Sequence, residues 1–285
     1  MTQTPAAALR LSSLAARYRG AIVDLWGVMH DGTQAFPAAV DAMLRYRAGG
    51  GRVLFLSNAP RPGEVVRSQM ERLGIPPDAA DMILTSGDAT RAALEGVDLP
   101  DGPFLFLGPE RDRSTIADLA RPETDDPDKA AILVLTGPRD DERDTPEDYL
   151  PLLRRLRARD VTVVCANPDL VVQRGDRLVP CAGAIARLYE AEGGRVISFG
   201  KPHAPIYALA LARLGLPREA IMAIGDGVAT DITGAHGAGV AAVLIMSGIH
   251  GAEWAVDGQP DPARAAAALA DRGLSAVAFM PHLVW

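Results

Sequence analysis

The sequence predicts an α/β protein: a doubly wound parallel sheet with a second α/β domain inserted into it. Two observations carry this expectation. Short apolar runs alternate with stretches of helical period, the pattern of strand-helix-strand units that build a parallel sheet. The alternation also restarts midway, then returns to strands that end in polar motifs like the first, the mark of one domain inserted in another. The boundaries this implies are residues 1–87 and 193–285 for the outer domain and 88–192 for the insert.

The first strand is the apolar run Ala21 to Val23, which delivers Asp24 to its C-terminal end before the chain breaks into Gly27 and a polar turn. In open α/β sheets that edge is where ligands bind, so a carboxylate placed there is a candidate nucleophile or metal ligand. A helical pattern begins at Phe36-Pro37 and stops at Gly49-Gly50-Gly51. Val53 to Leu56 forms the second strand, ending on Ser57-Asn58, and Pro60 and Pro62 force a loop before a helix over about 64–73. A third strand, Met82 to Leu84, leads into a helix from about Asp88. The rhythm then restarts with strands in 103–108, 130–137 and 161–169 and helices over about 149–158 and 184–190. VISFGKPH follows, then a strand Ile221 to Ile224 running into GDGVATD, an apolar run Val240 to Met246, an Ala-rich helix near 263–270 and a last strand-like piece, 276–279. An ordinary leading helix is expected in PAAALRLSSLAARYRG, where three arginines interrupt what would otherwise resemble a signal peptide.

Composition narrows the function classes. At 285 residues, 48% hydrophobic and 23% charged, the chain has the balance of a globular enzyme. Its net charge of −7, from 29 basic and 36 acidic residues, offers no clustered cationic surface for a phosphate backbone, so nucleic acid is not an expected partner. No apolar run reaches membrane-spanning length. Two cysteines, Cys165 and Cys181, are too few for a disulfide framework and fit a reducing compartment such as the cytoplasm.

Four polar sites end or closely follow apolar strands: Asp24, Ser57-Asn58, Lys201, and Asp226 with Asp231. Singly, each has an ordinary structural explanation as a cap, a loop start or a surface charge. Together they describe one site. Asp24 and Asp226 suit a hard divalent cation such as Mg²⁺, and Ser57, helped by Asn58 and by free N–H groups at the next helix start, can donate to a phosphoryl oxygen. Lys201 supplies a positive point charge, and Asp231 can orient Lys201 or a metal-bound water.

DLWGVMHDG at Asp24, LSN at Ser57, GKPHAPIY at Lys201 and GDGVATDI at Asp226 and Asp231 stand in the order of the four motifs of the haloacid dehalogenase superfamily. The chain resembles its class IIA branch, the phosphatases similar to NagD and to pyridoxal phosphate phosphatase. The resemblance implies a Mg²⁺-dependent phosphatase with Asp24 as nucleophile, Ser57, Asn58 and Lys201 around the phosphoryl group, and metal ligands from Asp24, the Trp26 carbonyl, Asp226 and Asp231, the last directly or through water. It also implies that the insert is a cap of the larger α/β (C2) type, that ANPD (Asn167 to Asp169) is its segment facing the substrate, a small phosphorylated metabolite, and that a homodimer forms through the caps.

One residue departs from the family pattern. The family places an aspartate two residues after the nucleophile, as proton donor to the leaving group and activator of water, and here that residue is Trp26. Indole does neither, a deficit of about 10²–10⁴-fold in rate, roughly 3–5 kcal/mol. Three readings stay open: a phosphatase for good leaving groups or one in which His30, Asp31 or the substrate replaces the acid; a metal-free 2-haloacid dehalogenase, whose DLYG pattern DLWG resembles; and a phospho-ligand binder or regulatory subunit without turnover. His203, two residues from Lys201, is a further candidate for the pocket, whereas the scattered histidines make no zinc site. Gly234, Gly237 and Gly239 form no GxGxxG after a first strand, and Trp254 and Trp285 fit core or interface.

Overall fold

A computed structural model describes residues 10–96, 98–174, 177–248 and 251–285. In chain order its strands are β1 (Gly20–Val23), β2 (Arg52–Ser57), β3 (Met82–Thr85), β4 (Phe104–Leu107), β5 (Ile132–Leu135), β6 (Thr162–Cys165), β7 (Val171–Arg174), β8 (Arg177–Pro180), β9 (Val196–Ser198), β10 (Ile221–Gly225), β11 (Ala241–Ile245), β12 (Ala255–Val256), β13 (Gln259–Pro260) and β14 (Ala278–Met280). The chain divides into two compact units, each with its own main sheet and core.

The first unit comprises residues 10–57, 67–84 and 201–285. Its six-stranded sheet runs β14-β11-β10-β1-β2-β3. β1 is wholly buried and pairs in parallel with β10 on one side and β2 on the other; β10 with β11 and β11 with β14 are parallel too. Strand order proceeds outward from β1 in opposite directions for β2-β3 and for β10-β11-β14, so the topological switch point lies between β1 and β10. One sheet face packs through Ile22, Leu54, Ala223 and Leu244 against Ile206, Tyr207, Ala210 and Leu214 of the helix Ala204–Leu214. That helix stops at Gly215, whose left-handed backbone costs a glycine little. Trp254 lies in the same cluster, fully buried, with Nε1 donating to the Met246 carbonyl at 3.2 Å; Trp285 is half-buried. Of the expected leading helix, residues 5–9 lie outside the described residues, and a single turn, Ser12–Ala15, is present beyond them. Gly234 and Gly237 sit within the helix Thr233–Ala238, and Gly239 caps it.

The second unit comprises Asn58–Val66 and Thr85–Gly200. Its four-stranded sheet, β4-β5-β6-β9, is parallel throughout. Alternate residues serve opposite faces: Leu105, Leu133, Val163 and Cys165 pack against Leu153, Leu156, Ile185 and Tyr189, whereas Phe104, Ile132, Val134 and Val164 pack against Leu94, Leu99 and Ile116. Burial on both faces explains why these strands read as continuous apolar runs. An antiparallel hairpin, β7-β8, lies outside this sheet.

The units divide at other residues than the sequence boundaries 87/88 and 192/193. The chain crosses between 57 and 58, 66 and 67, 84 and 85, and 200 and 201. β9 pairs with β6, which keeps residues 193–200 with the second unit, and Asn58–Val66 is bonded to that unit ahead of the main insertion. No helix among the described residues is long and apolar enough to cross a membrane.

Candidate functional site

The register of the first sheet assembles the site. Val23 stands opposite Phe55 of β2 and Ile224 of β10, so Asp24 emerges beside the ends of both neighbours, with Ser57 closing β2 and Asp226 following Gly225. The Asp24 amide donates to the Ile224 carbonyl at 2.9 Å, which extends the ladder through the nucleophile candidate itself.

Lys201 joins two of the carboxylates. Its Nζ donates to Asp24 Oδ1 at 2.6 Å and to Asp231 Oδ1 at 2.7 Å, and all three side chains are almost fully buried. Asp231 sits on the π-helical turn Val228–Ile232, a wider turn than the α-helix and one often found at functional sites. Its Oδ2 accepts from the Gly227 amide at 3.2 Å, and Tyr207 Oη donates to its carbonyl at 3.2 Å. Burial, and then the charge of Asp24, push the Asp231 carboxyl up to about 6 against the opposing pull of Lys201.

Asp226 is placed by close approach. A Cβ on Gly27, whose φ is +82°, or on Gly248 would overlap its carboxylate, so both positions need glycine. Carboxylate oxygens of Asp24, Asp226 and Asp231 lie within 4.8 Å of one another. Three carboxylates against one ammonium leave the site with an excess of negative charge in a buried setting, the donor set that a hard divalent cation fits.

Trp26 lies in the turn after β1, where its indole meets the His30 ring edge-on, with centroids 5.2 Å apart and planes at 70°. The ring also covers Gly32, where a Cβ would overlap it. His30 is buried and its Nδ1 accepts from the Gly32 amide at 3.0 Å, so in this turn the ring is a neutral acceptor. Burial drives its pKa down to about 4, against a smaller upward push from Asp31. Asp31 Oδ1 accepts from Thr33 Oγ1 at 2.6 Å, Thr33 N at 2.8 Å and Gln34 N at 2.9 Å. The Thr33 hydroxyl and then the Gln34 amide pull its carboxyl down to about 2. Both groups are thus engaged in shaping the loop, and neither has the pKa of a neutral-pH proton donor.

The structure thus brings Asp24, Lys201, Asp226 and Asp231 together, with Ser57 at the adjacent strand end. Asn58 belongs to the second unit, where its Nδ2 donates to Asp169 Oδ1 at 2.8 Å. Asn167 and Asp169 form the turn beyond β6, with the Asp169 amide donating to Asn167 Oδ1 at 3.1 Å. His203 is exposed just before the helix Ala204–Leu214. Sequence reasoning missed Gly27 and Gly248 as the walls around Asp226; a glycine directly after an apolar strand and its turn was the available signal for Gly248.

Similarity to known proteins covers most of the chain. A haloacid dehalogenase-like hydrolase family model matches residues 21–120, and a HAD-hydrolase-like model matches residues 198–272. A hydrolase of the haloacid dehalogenase-like family from Brucella suis 1330 is 40% identical, with 96% of this chain and 99% of that one covered at a TM-score of 0.84. The D-glycerol 3-phosphate phosphatase of Mycobacterium tuberculosis is 28% identical over 259 residues, 88% of this chain and 69% of that protein. A solved glycerol phosphate phosphatase from the same organism, in complex with calcium, is 26% identical over 83% of this chain and 68% of that one, at a TM-score of 0.64.

Proposed function

The chain belongs to the haloacid dehalogenase-like hydrolase family, and on that footing we propose that it hydrolyses a phosphate monoester of a small metabolite through an aspartyl-phosphate on Asp24. The observation that carries this reading is the Lys201 ammonium held between Asp24 and Asp231 at the switch point of the sheet. A nucleophilic carboxylate beside a fixed cation is suited to attack on an anionic phosphoryl group, because the ammonium offsets the repulsion between the two. The glycerol phosphate phosphatase relative supports the substrate class.

In this mechanism an Asp24 oxygen forms a bond to phosphorus while the bond to the leaving oxygen breaks and its electron pair departs with that oxygen. Ser57 and Lys201 hold the phosphoryl oxygens. Mg²⁺, held by Asp24, Asp226 and the Trp26 carbonyl with Asp231 bound directly or through water, would neutralise charge on the phosphoryl group. Water then cleaves the aspartyl-phosphate; its hydroxyl goes to phosphorus and its remaining proton leaves with the phosphate. With indole at position 26, the esters best served are those whose leaving oxygen is stable as an anion, such as aryl phosphates.

Release of inorganic phosphate from a panel of phosphorylated metabolites with Mg²⁺, compared between the native protein and Asp24→Asn, tests the proposal. Release that vanishes in the variant is the expected result. Phosphate-ester binding without release would favour a second reading, a phospho-ligand binder, to which Trp26 lends its support. Halide release from 2-haloacids in EDTA would instead mark a dehalogenase. The two free, buried cysteines support a reducing, cytoplasmic setting, and exposed Leu170, Val171 and Leu178 around the β7-β8 hairpin support a homodimer through this domain.

A further inference from the structure

Two of the crossings between the units lie directly beside site residues: Ser57 precedes Asn58, and Lys201 follows Gly200. On the second unit's side, both crossings meet one turn. Asn58 is 4% exposed and donates through Nδ2 to Asp169 Oδ1 at 2.8 Å. Gly200 packs against the same group so closely that a Cβ there would stand 2.5 Å from Asn58 Oδ1 and 2.7 Å from Pro168 Cδ. Asn58, Pro168, Asp169 and Gly200 therefore form one knot, from which the two chain segments leave toward Ser57 and Lys201.

The knot is braced from behind. The Asp169 amide closes on Asn167 Oδ1 at 3.1 Å, and the Asp169 carbonyl accepts from Gly183 N, at the start of the helix Ala182–Ala191, at 3.2 Å. The segment after Asn58 is tied down as well: the Gly87 amide donates to the Ala59 carbonyl at 3.1 Å, Thr115 Oγ1 to the Pro60 carbonyl at 2.6 Å, and Gly63 N to Asp88 Oδ1 at 3.0 Å. Asn58 is thus fixed at its side chain and through the residues that follow it. Consecutive Cα atoms are only about 3.8 Å apart, so a shift of Asn58 is passed to Ser57 with little slack.

We propose that Asp169 is a positioning residue for phosphate recognition, acting through Asn58 and Gly200 to set the spacing of Ser57 and Lys201 rather than by touching the substrate. The inference rests on the phosphatase reading of Ser57 and Lys201. It follows that Asp169 matters equally for every substrate, because the phosphoryl group is common to all of them. A misplacement near 1 Å in such a grip costs on the order of 10²-fold.

Inhibition by inorganic phosphate gives the decisive readout, since phosphate carries no leaving group. Asp169→Ala is expected to raise the Ki for inorganic phosphate tenfold or more, and to raise KM by the same factor for two esters with unrelated alcohols. Asp169→Asn keeps the acceptor for Asn58 and is expected to stay within threefold of the native protein. Gly200→Ala, whose Cβ would wedge Asn58 from Pro168, is expected to reproduce the loss in a protein whose circular dichroism shows it folded; it also serves if Asp169→Ala does not fold. A native-like phosphate Ki in folded Asp169→Ala or Gly200→Ala overturns the inference, as does a loss confined to one ester, which would mean direct substrate contact. Those results leave Asp24-dependent phosphate release intact. A native protein that neither releases nor binds phosphate removes the phosphatase reading and this inference with it.

Discussion

Trp26 poses the sharpest chemical question at the scale of single residues. Its ring is placed by the turn: His30 stands at its edge, Gly32 lies beneath it, and the Gly27 amide donates to the His30 carbonyl at 2.8 Å to close the loop. The neighbouring groups able to carry a proton are already in use, His30 as an acceptor for Gly32 and Asp31 as the hub of the Thr33-Gln34 turn. A carboxyl introduced by Trp26→Asp would supply a proton donor two residues from the proposed nucleophile, Asp24. It is expected to raise turnover of alkyl phosphates, whose leaving oxygen needs a proton, at least tenfold, and that of aryl phosphates much less. Loss of the ring's packing is expected to cost about 2–3 kcal/mol of stability, below the range for a fully buried tryptophan because Trp26 is partly exposed. Steady-state rates on the two ester classes, with a denaturation curve for each protein, make the comparison. Unchanged alkyl turnover in a folded variant would assign Trp26 to a different chemistry or a differently shaped pocket.

At the scale of elements, the first sheet depends on how β2 and β3 are started together. The Val53 amide donates to Asp81 Oδ2 at 2.7 Å, and the Asp81 amide donates back to the Val53 carbonyl at 2.9 Å. Arg47, at the end of the helix Pro37–Ala48, pairs with Asp81 Oδ1 at 2.7 Å. Burial pushes the Asp81 carboxyl upward, but the Val53 amide and Arg47 outweigh it, and the net shift is downward from 3.8. A carboxyl with a depressed folded-state pKa stabilises fully above its unfolded value and loses that contribution as pH falls through the folded one. Asp81→Asn is therefore expected to cost about 1–3 kcal/mol at pH 7, with the gap to the native protein closing below pH 4. Urea denaturation of both proteins across pH 3–7 checks this, and a gap independent of pH would contradict it. The same scale shows what a sequence reveals. β1, β2 and β10 were legible because each is an apolar run ending in a polar motif, and the site residues Asp24, Ser57 and Asp226 stand at such ends. β9 was legible as a strand but not by its partner: all three of its residues are only half-buried, and nothing local in VIS distinguishes pairing with β6 from a place in the first sheet. In the sequence Asn58 reads with Ser57 for the same reason, since its bond to Asp169 joins residues 111 positions apart. The roles of His30 and Asp31 depend on loop hydrogen bonds that residue type does not specify.

At the scale of the molecule, two sheets with separate cores carry unequal electrostatic loads. The first holds Asp24, Asp226 and Asp231 around one lysine, and burial, followed by the charge of Asp24, pushes the Asp231 carboxyl upward. The second contains no comparable cluster of three potential metal ligands among its described residues. Binding of Mg²⁺ to the folded state alone raises stability by mass action, about 2.7 kcal/mol at a hundredfold excess over Kd. For domains of about 150–250 residues, each kcal/mol is worth roughly 2–4 °C in melting temperature. Mg²⁺ is therefore expected to raise the melting temperature by several degrees over an EDTA control. Asp226→Asn, which keeps the shape but removes a charge, is expected to abolish most of that shift. Because the proposed ligands stand at the ends of β1 and β10, amide exchange should slow in residues 24–30 and 225–233 on Mg²⁺ addition and stay unchanged in β4, β5 and β6. Thermal shift together with exchange measured by mass spectrometry separates this from a general salt effect, which would protect both sheets alike and leave the Asp226→Asn response intact.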